Sequence, residues 1–436
     1  MPAPMRMLFI PAERYPTDRV RINVLFGHEM LSRGHTIDLV MQAEGPRTPA
    51  GPQSWHGSTV FVGPAVAPET LGRRLRREWQ GLVHDVRHLF RARGGAYDAI
   101  MISDKFVTGA IAALLVRKTA CIFWLTFPHP ESDVDKARRR ITRYPKLTHL
   151  RGTVTAWLLY KLILPRADHV FVQSDRMKSA VCAHGVDADK VSPILTGFDL
   201  TGISPVRHEA REAPSGAITV GYLGTLDPMR RLEVLVDMLA ELRRDGVGAR
   251  LLLVGDSDNP RGRETIERRA GELGVTSHVE ITGFLPQREA LARIGRADVC
   301  ISPIYRSPLL DVGSPTKMIE YMALGLPVVA NDHPEQRAIL HEARAGICVP
   351  WAPRHFARAV RWLMSRSAVE RAAMGARGRA WVENNRTYAR IADEVERTCL
   401  DVIARRLANP SGRAALGVLA ARPRTAIGRT EDSRIP

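Results

Sequence analysis
Ser314-Pro315-Thr316-Lys317-Met318-Ile319-Glu320-Tyr321-Met322-Ala323-Leu324-Gly325-Leu326-Pro327-Val328-Val329-Ala330 reads as a capped helix, a tight turn and a buried strand. Ser314 is a good N-cap, and Pro315 suits the first helical position, where a missing N–H costs nothing. Gly325 stops the helix after Leu324. Residues 327–330 form a short apolar run, as a parallel strand covered on both faces requires. A helix start offers unpaired N–H groups and a partial positive charge, which together suit a phosphate. Lys317 adds a full charge beside it. Glu320, one turn on, is an acceptor of the kind that grips ribose hydroxyls. An ordinary helix–strand unit with a surface glutamate shares this pattern, so the stretch points first to an α/β fold.

Outward from this unit the alternation of strand and helix continues in both directions. In the second half strands are expected at 217–223, 250–254, 278–281, 298–302, 327–330 and 346–349, with helices near 231–245, 262–273, 288–294, 315–323 and 355–364. In the first half strands are expected at 7–10, 36–40, 59–62, 99–102, 120–125, 169–172 and 191–195, with a helix over 20–32 stopped at Gly34. Such alternation implies parallel sheets with helices on both faces. The polar stretch 201–215, with Pro205 and Pro214, is the expected join. The organisation is therefore a first doubly wound domain over 1–205, a second over 216–385, and a helix over 386–408 that returns toward the first domain. The tail over 409–436 is too polar and too broken by proline and glycine to bury a core.

At 436 residues the chain is long enough for two or three domains. Its five cysteines are scattered without a CxxC pair, which disfavours a disulfide framework or a zinc site and suits a reducing cytosol. The first residues run straight into a strand and lack the apolar core of a signal peptide. No apolar stretch reaches the ~20 residues that span a bilayer. The net charge is +17, and its placement matters. Seven arginines lie between Arg73 and Arg93, and seven Lys or Arg with no acid lie between Lys136 and Arg151. Solvated helix faces are one reading of such runs. The other is a surface for something anionic: a membrane leaflet, a lipid-linked phosphate or nucleic acid. On one face of the first cluster's helix, Leu75, Trp79, Leu82, Val83, Val86, Leu89 and Phe90 form a stripe that either packs inward or lies on a leaflet.

The second half resembles the donor domain of the family-4 glycosyltransferases, which have the GT-B fold. Five blocks carry the resemblance in order: Gly221-Tyr222-Leu223-Gly224-Thr225-Leu226 with Arg230-Arg231; Leu252-Leu253-Val254-Gly255; Val279 through Leu285; Ala297-Asp298-Val299-Cys300-Ile301-Ser302-Pro303; and Ser314 through Ala330. The first half matches more loosely, at Leu8-Phe9-Ile10, Leu31 through Ile37, Ala167 through Ser174 and Gly197-Phe198-Asp199. The resemblance implies two Rossmann-like domains facing across a cleft and transfer of a hexose-type sugar from a UDP- or GDP-sugar, with retention and without a required metal or cofactor. It implies that Arg230 clamps the diphosphate, that Glu320 binds ribose, and that Ser314, Pro315 and Thr316 cradle the phosphates beside Lys317. Phe284 and Leu285 fall where the base lies, and His129 falls where a histidine contacts the donor sugar. The chain departs from the family pattern in three places. Thr225 stands where the partner arginine is usual, leaving Lys317 or Arg231 to supply charge. Val312 stands where a second glutamate is usual, with Asp311 adjacent. The loop after Ile10 lacks paired glycines, leaving Arg14 or Arg19 to approach the donor.

Other motifs bound the alternatives. Asp256-Ser257-Asp258 mimics a DxD metal site, but it follows a strand as an ordinary loop would. There is no P-loop, GxGxxG or Gly-x-Ser-x-Gly elbow, which disfavours a kinase, a dehydrogenase or a serine hydrolase. Both basic clusters lie in the acceptor half. The acceptor is therefore expected to be a glycan that is lipid-linked or presented at a membrane, in a cell-envelope polysaccharide pathway. The protein is expected in the cytoplasm or at the inner face of the plasma membrane. A sugar-nucleotide epimerase of the same fold and a basic nucleic-acid or nucleotide binder remain as alternatives. The latter fits poorly, since the second cluster interleaves only Tyr144 among its cations.

Overall fold
The computed structural model describes residues 3–65, 71–92, 95–140, 142–201, 203 and 217–408. The expected join and the 409–436 tail fall almost wholly outside them. The first half contributes β1 (Arg6–Ile10), β2 (Arg14–Tyr15), β3 (Thr36–Ala43), β4 (Gly51–Trp55), β5 (Ser58–Gly63), β6 (Ala99–Ser103), β7 (Ala120–Leu125), β8 (His169–Val172) and β9 (Val191–Pro193). They form one sheet in the order β4-β5-β3-β1-β6-β7-β8-β9, with β2 against the end of β3. The second half contributes β10 (Ile218–Leu223), β11 (Ala249–Val254), β12 (Val279–Ile281), β13 (Val299–Ser302), β14 (Val328–Asn331) and β15 (Gly346–Val349), ordered β12-β11-β10-β13-β14-β15.

Both sheets start in the middle, run out to one edge, then return past the first strand to the other edge. That is the doubly wound arrangement, and it leaves a crevice at the carboxyl ends of β1 and β6 and of β10 and β13. The physical cause is visible in β6, β7, β8, β13 and β14, which are buried along their whole length. Strands without a polar face must be covered by helices on both sides. The antiparallel β4 at the sheet edge was not expected, because Gly-Pro-Gln-Ser-Trp carries too little apolar alternation to show. The helix expected over 20–32 is wound as a π-helix over Arg21–Glu29 before an α-helical turn, Met30–Ser32. Apolar spacing fixes a helix's buried face but not its hydrogen-bond register.

The chain crosses back at its end. Helix Ala368–Asn385 packs on the second half, and helix Tyr388–Ala408 leaves it to lay Ile391, Ala392, Val395, Cys399 and Val402 into the first half's core. Polar ties pin that helix. His35 Nε2 meets Glu396 Oε1 at 2.9 Å, and Arg33 donates to Glu396 at 3.1 Å and to Asp393 at 2.6 Å.

Candidate functional site
The quoted stretch folds as helix Thr316–Ala323 followed by β14. Its end is a glycine turn: Gly325 has φ +75°, its N–H reaches Met322 O at 2.9 Å, and the Leu326 N–H reaches Tyr321 O at 3.0 Å. Its start differs from the expectation. Pro315 takes the cap position, and no side chain caps the helix. The Ser314 hydroxyl turns to Glu335 Oε1 at 3.2 Å instead. Glu335 is also held by Arg386 at 3.0 Å. Burial raises the Glu335 pKa, and Arg386 opposes the rise. The Thr316 N–H is taken by Ser314 O at 2.9 Å, but no side chain caps the start, whose partial positive charge stays available to a ligand.

Around that start the loops after β10, β11 and β12 press together. The Gly224 N–H donates to Val254 O at 3.0 Å, and the Leu226 N–H to Asp256 O at 2.8 Å. Gly255, at φ +139°, lies so close that a Cβ there would sit 2.2 Å from Gly224 O, so only glycine fits. Tyr222 is wholly buried, with its hydroxyl donating to Thr225 O at 3.2 Å. Burial pushes the Tyr222 phenol up, and Arg230 beside it pulls the other way. Lys317 approaches the same spot: its Cε lies 3.3 Å from where a Gly224 Cβ would be, and its Nζ pairs with Glu320 Oε2 at 3.1 Å. Thr225, Arg230, Lys317 and Glu320 therefore gather at one place. Arg231 does not join them; it adopts a left-handed conformation and stacks on Tyr305 at 4.2 Å. Phe284 is exposed at the end of β12, and Leu285 packs toward the core.

Opposite, at the ends of β6 and β7, lies His129. It opens helix His129–Arg138 instead of lying in a loop, and its Nε2 is 3.6 Å from Asp104 Oδ2. Asp104 has φ +55°, unusual for a non-glycine residue. Its carboxylate accepts from the Thr126 N–H at 3.0 Å and from the Thr126 hydroxyl. His129, Asp104, Thr126, Gln173 and Arg19 line a cleft of about 690 Å³ together with Thr316 from the second half and Tyr388 from the crossing helix. The halves are latched beside it, where the Ser174 hydroxyl donates to Val312 O at 2.6 Å.

Two residues offered for the site, Asp311 and Arg14, lie elsewhere. Asp311 lines a different cavity, of about 820 Å³, and is forked by Arg306 at 2.7 and 2.9 Å. Burial alone would raise its pKa, but Arg306 more than reverses this and holds the carboxyl below its usual range. Val312, in the place of the second glutamate, packs into the first half's core. Arg14 faces neither donor nor cleft but a third cavity. Asp104, Thr126, Gln173 and Tyr388 were missed. The only signal for Asp104 was its place at a strand end, and for Tyr388 there was none. In the DxD look-alike, Asp256 accepts from the Ser257 N–H at 2.8 Å and from Arg263 at 3.3 Å.

Comparison with known proteins agrees with this architecture. Residues 25–197 match the family model described as a glycosyl transferase 4-like domain, and residues 217–366 match that of the glycosyl transferases group 1. The chain is 32% identical to the GDP-mannose-dependent alpha-(1-6)-phosphatidylinositol monomannoside mannosyltransferase of Mycobacterium tuberculosis strain H37Rv, over 45% of this chain and 49% of that one. It is 27% identical to WcaL of Escherichia coli strain K12, whose name assigns it to colanic acid biosynthesis, over 44% of this chain and 46% of that one. The chain thus spans about half the length of these curated relatives. Among solved structures, sucrose-phosphate synthase from Thermosynechococcus elongatus shares the fold with TM-score 0.69 at 20% identity, over 92% of this chain and 99% of that one. With both halves matched by their own models and the two-domain fold shared almost end to end, the chain belongs to the family-4-like glycosyltransferases of GT-B fold.

Proposed function
We propose that the chain is a retaining hexosyltransferase that draws its sugar from a UDP- or GDP-sugar and passes it to a lipid-linked or membrane-presented glycan. The observation that carries the donor half of this reading is the convergence of Arg230, Lys317 and Glu320 on the open start of helix Thr316–Ala323, with Thr316 facing His129 in one cleft. The helix start and the two cations would take the diphosphate, whose negative charge grows as the sugar leaves. Glu320 would hold the ribose. Across the cleft, His129, steadied by Asp104, would hold the sugar.

In this reading the acceptor hydroxyl attacks the anomeric carbon from the side the diphosphate leaves. The new C–O bond forms as the old one breaks, the bonding pair departs with the diphosphate, and the hydroxyl proton passes to a diphosphate oxygen. Of the two carboxylates that line the cleft among the described residues, Glu13 is paired with Arg21 and Asp104 is held by Thr126, which leaves no free pair for a double displacement. Arg230 and Lys317 supply the positive charge a metal would otherwise bring, so turnover is expected to survive EDTA. The relative's GDP-mannose dependence supports the donor class, and its phosphatidylinositol-based name supports a lipid acceptor. The two basic clusters support a position at the anionic inner leaflet; among the described residues no helix is long and apolar enough to cross a membrane. Thermal shift and hydrolysis across a panel of UDP- and GDP-sugars test the reading. Stabilisation by at least one donor, lost in Glu320→Ala, is expected; no response to any donor would overturn it.

A further inference from the structure
A third cavity of about 520 Å³ opens from the same place as the cleft. Ala12 and Asp104 line both, so the two spaces share a wall at the end of β6. From there the cavity runs outward between the loop after β1 and helix Leu71–Ala92, and its lining changes character along the way.

The inner end is polar. Asp85, only 3% exposed, accepts from Lys105 Nζ at 2.8 Å and from the Thr108 hydroxyl at 3.0 Å. Gln42 stands beside them. Arg77 is engaged by Glu78 at 3.0 Å. Arg14 is different: among the described residues its guanidinium has no hydrogen-bonded or ion-pair partner. Burial, and then Arg77, lower its pKa, while Glu78 and Glu44 nearby offset part of the fall. The outer end is apolar. Leu75, Trp79 and Val107 line the mouth and are 65%, 64% and 51% exposed. The exposed line continues away from the mouth through Val83 and Phe90. Residues 75, 79, 83 and 90 fall on one side of a helix with about 3.6 residues per turn. Apolar side chains of this size, in line and uncovered, mark a surface that something apolar meets.

We propose that this cavity is the acceptor site, and that the acceptor is an amphiphile whose anionic head lies against Arg14 while its hydrocarbon chain leaves past Leu75 and Trp79. This rests on the glycosyltransferase reading above. The head would then present its hydroxyl at Asp104, on the boundary with the cleft that holds His129. The charge order along the cavity matches such a molecule, with a free cation inside, apolar walls outside and arginines Arg76, Arg87 and Arg91 exposed beside the stripe.

The test uses the full chain and three probes: dodecyl phosphate below its micellar concentration, glucose 1-phosphate, which has an anionic head without a tail, and dodecyl maltoside, which has a tail without charge. Titration calorimetry is run on the wild type, Arg14→Gln and Trp79→Ser, with UDP and GDP as controls in each. Dodecyl phosphate is expected to bind at least tenfold more tightly than either other probe. Each substitution should weaken it about tenfold and leave the binding of the nucleotide that the wild type takes within twofold. Absence of dodecyl phosphate binding, or equal binding by both variants, would overturn the proposal. So would glucose 1-phosphate binding as tightly, which would mark a soluble acceptor. Loss in Trp79→Ser without loss in Arg14→Gln would mean adsorption to the helix surface alone and would overturn it too. If instead dodecyl phosphate behaves as expected while neither nucleotide binds the wild type, the donor reading fails and the cavity assignment does not.

Discussion

Lys317 and Glu320 hold each other at 3.1 Å, and both are needed elsewhere once a donor arrives. A diphosphate at the helix start draws Lys317 toward itself, which frees the Glu320 carboxylate for the ribose hydroxyls. Hydrogen bonds to charged groups contribute ~1.5–3 kcal/mol each, so Lys317→Ala and Glu320→Ala should each weaken nucleotide binding by roughly 10- to 100-fold. Because the pair is coupled before the ligand binds, the double variant should lose less than the two singles combined. Calorimetric titration of the donor nucleotide into the four proteins measures this, and strict additivity would show that the pair does not gate the site. Asp104 invites a different test. Its backbone sits in the left-handed region while its carboxylate is occupied by Thr126 and faces His129. Strain of this kind persists where surrounding contacts enforce it. Asp104→Asn keeps the shape and removes the charge beside the imidazole. Its expected effect is a fall in kcat of about 100-fold, the low end for a positioned polar group, with little change in nucleotide affinity. A variant whose kcat stays within a few-fold of wild type would show that His129 needs no partner.

The elements that build the site are the carboxyl ends of strands, and how far each could be read depends on whether its cause is local. The helix–Gly325–strand unit was legible because a glycine with positive φ, an apolar helical face and a buried run of four residues are each written within a few positions. The parallel, doubly wound sheets followed from the same alternation, apart from the antiparallel edge strand β4. The helix start was not read correctly: Ser314 is a competent cap, yet Glu335, 21 positions on, takes its hydroxyl. By position Asp311 is the stand-in for the second glutamate; Arg306, only five positions earlier, forks it beside a different cavity, and neither residue type announces that pairing. Tyr388 lines the cleft because the terminal helix crosses between halves; the return of that helix was expected, but no local spacing shows which of its residues reaches the site. A tight element-level constraint beside the site is the contact of Gly255 with Gly224. Gly255→Ala puts a methyl group into the Gly224 carbonyl and must push the 224–226 loop away from the site. Reduced thermal stability together with weakened donor binding is expected. Thermal melts with and without nucleotide would detect both, and an unchanged nucleotide shift would mean that this loop does not touch the donor.

At the scale of the molecule, the two halves are tied by the Ser174–Val312 hydrogen bond, by the join, and by a terminal helix that starts in one half and ends in the core of the other. Anything that loosens the first half therefore also releases the helix that supplies Tyr388 to the cleft. The first half carries two histidines that acid should turn against it. His88 is buried against Phe61 and His84, and burial, then His84, Arg91 and Arg87, hold its pKa down at about 4. His169, on the fully buried β8, is likewise pushed to about 4 by burial and then by Arg405 and Lys178. In an unfolded chain both titrate near 6.5. Between about pH 6.5 and pH 4 the unfolded state therefore binds protons that the folded state refuses, and stability falls as pH falls through that window. Glu335 acts in the opposite sense, because its raised pKa lets the folded state take a proton more readily, but it stands against these two and against His84 and His333, whose pKa values burial also lowers. The melting temperature should decline from pH 7 to pH 5, and the decline should be shallower in His169→Phe, whose apolar ring fits a site where both imidazole nitrogens lack a hydrogen-bond partner. Calorimetry of the wild type and this variant at pH 7, 6 and 5 reads the slope directly. A slope unchanged by the substitution would mean that His169 takes no part in the acid response, and a melting temperature that rises toward pH 5 would mean that Glu335 and groups like it outweigh the buried imidazoles.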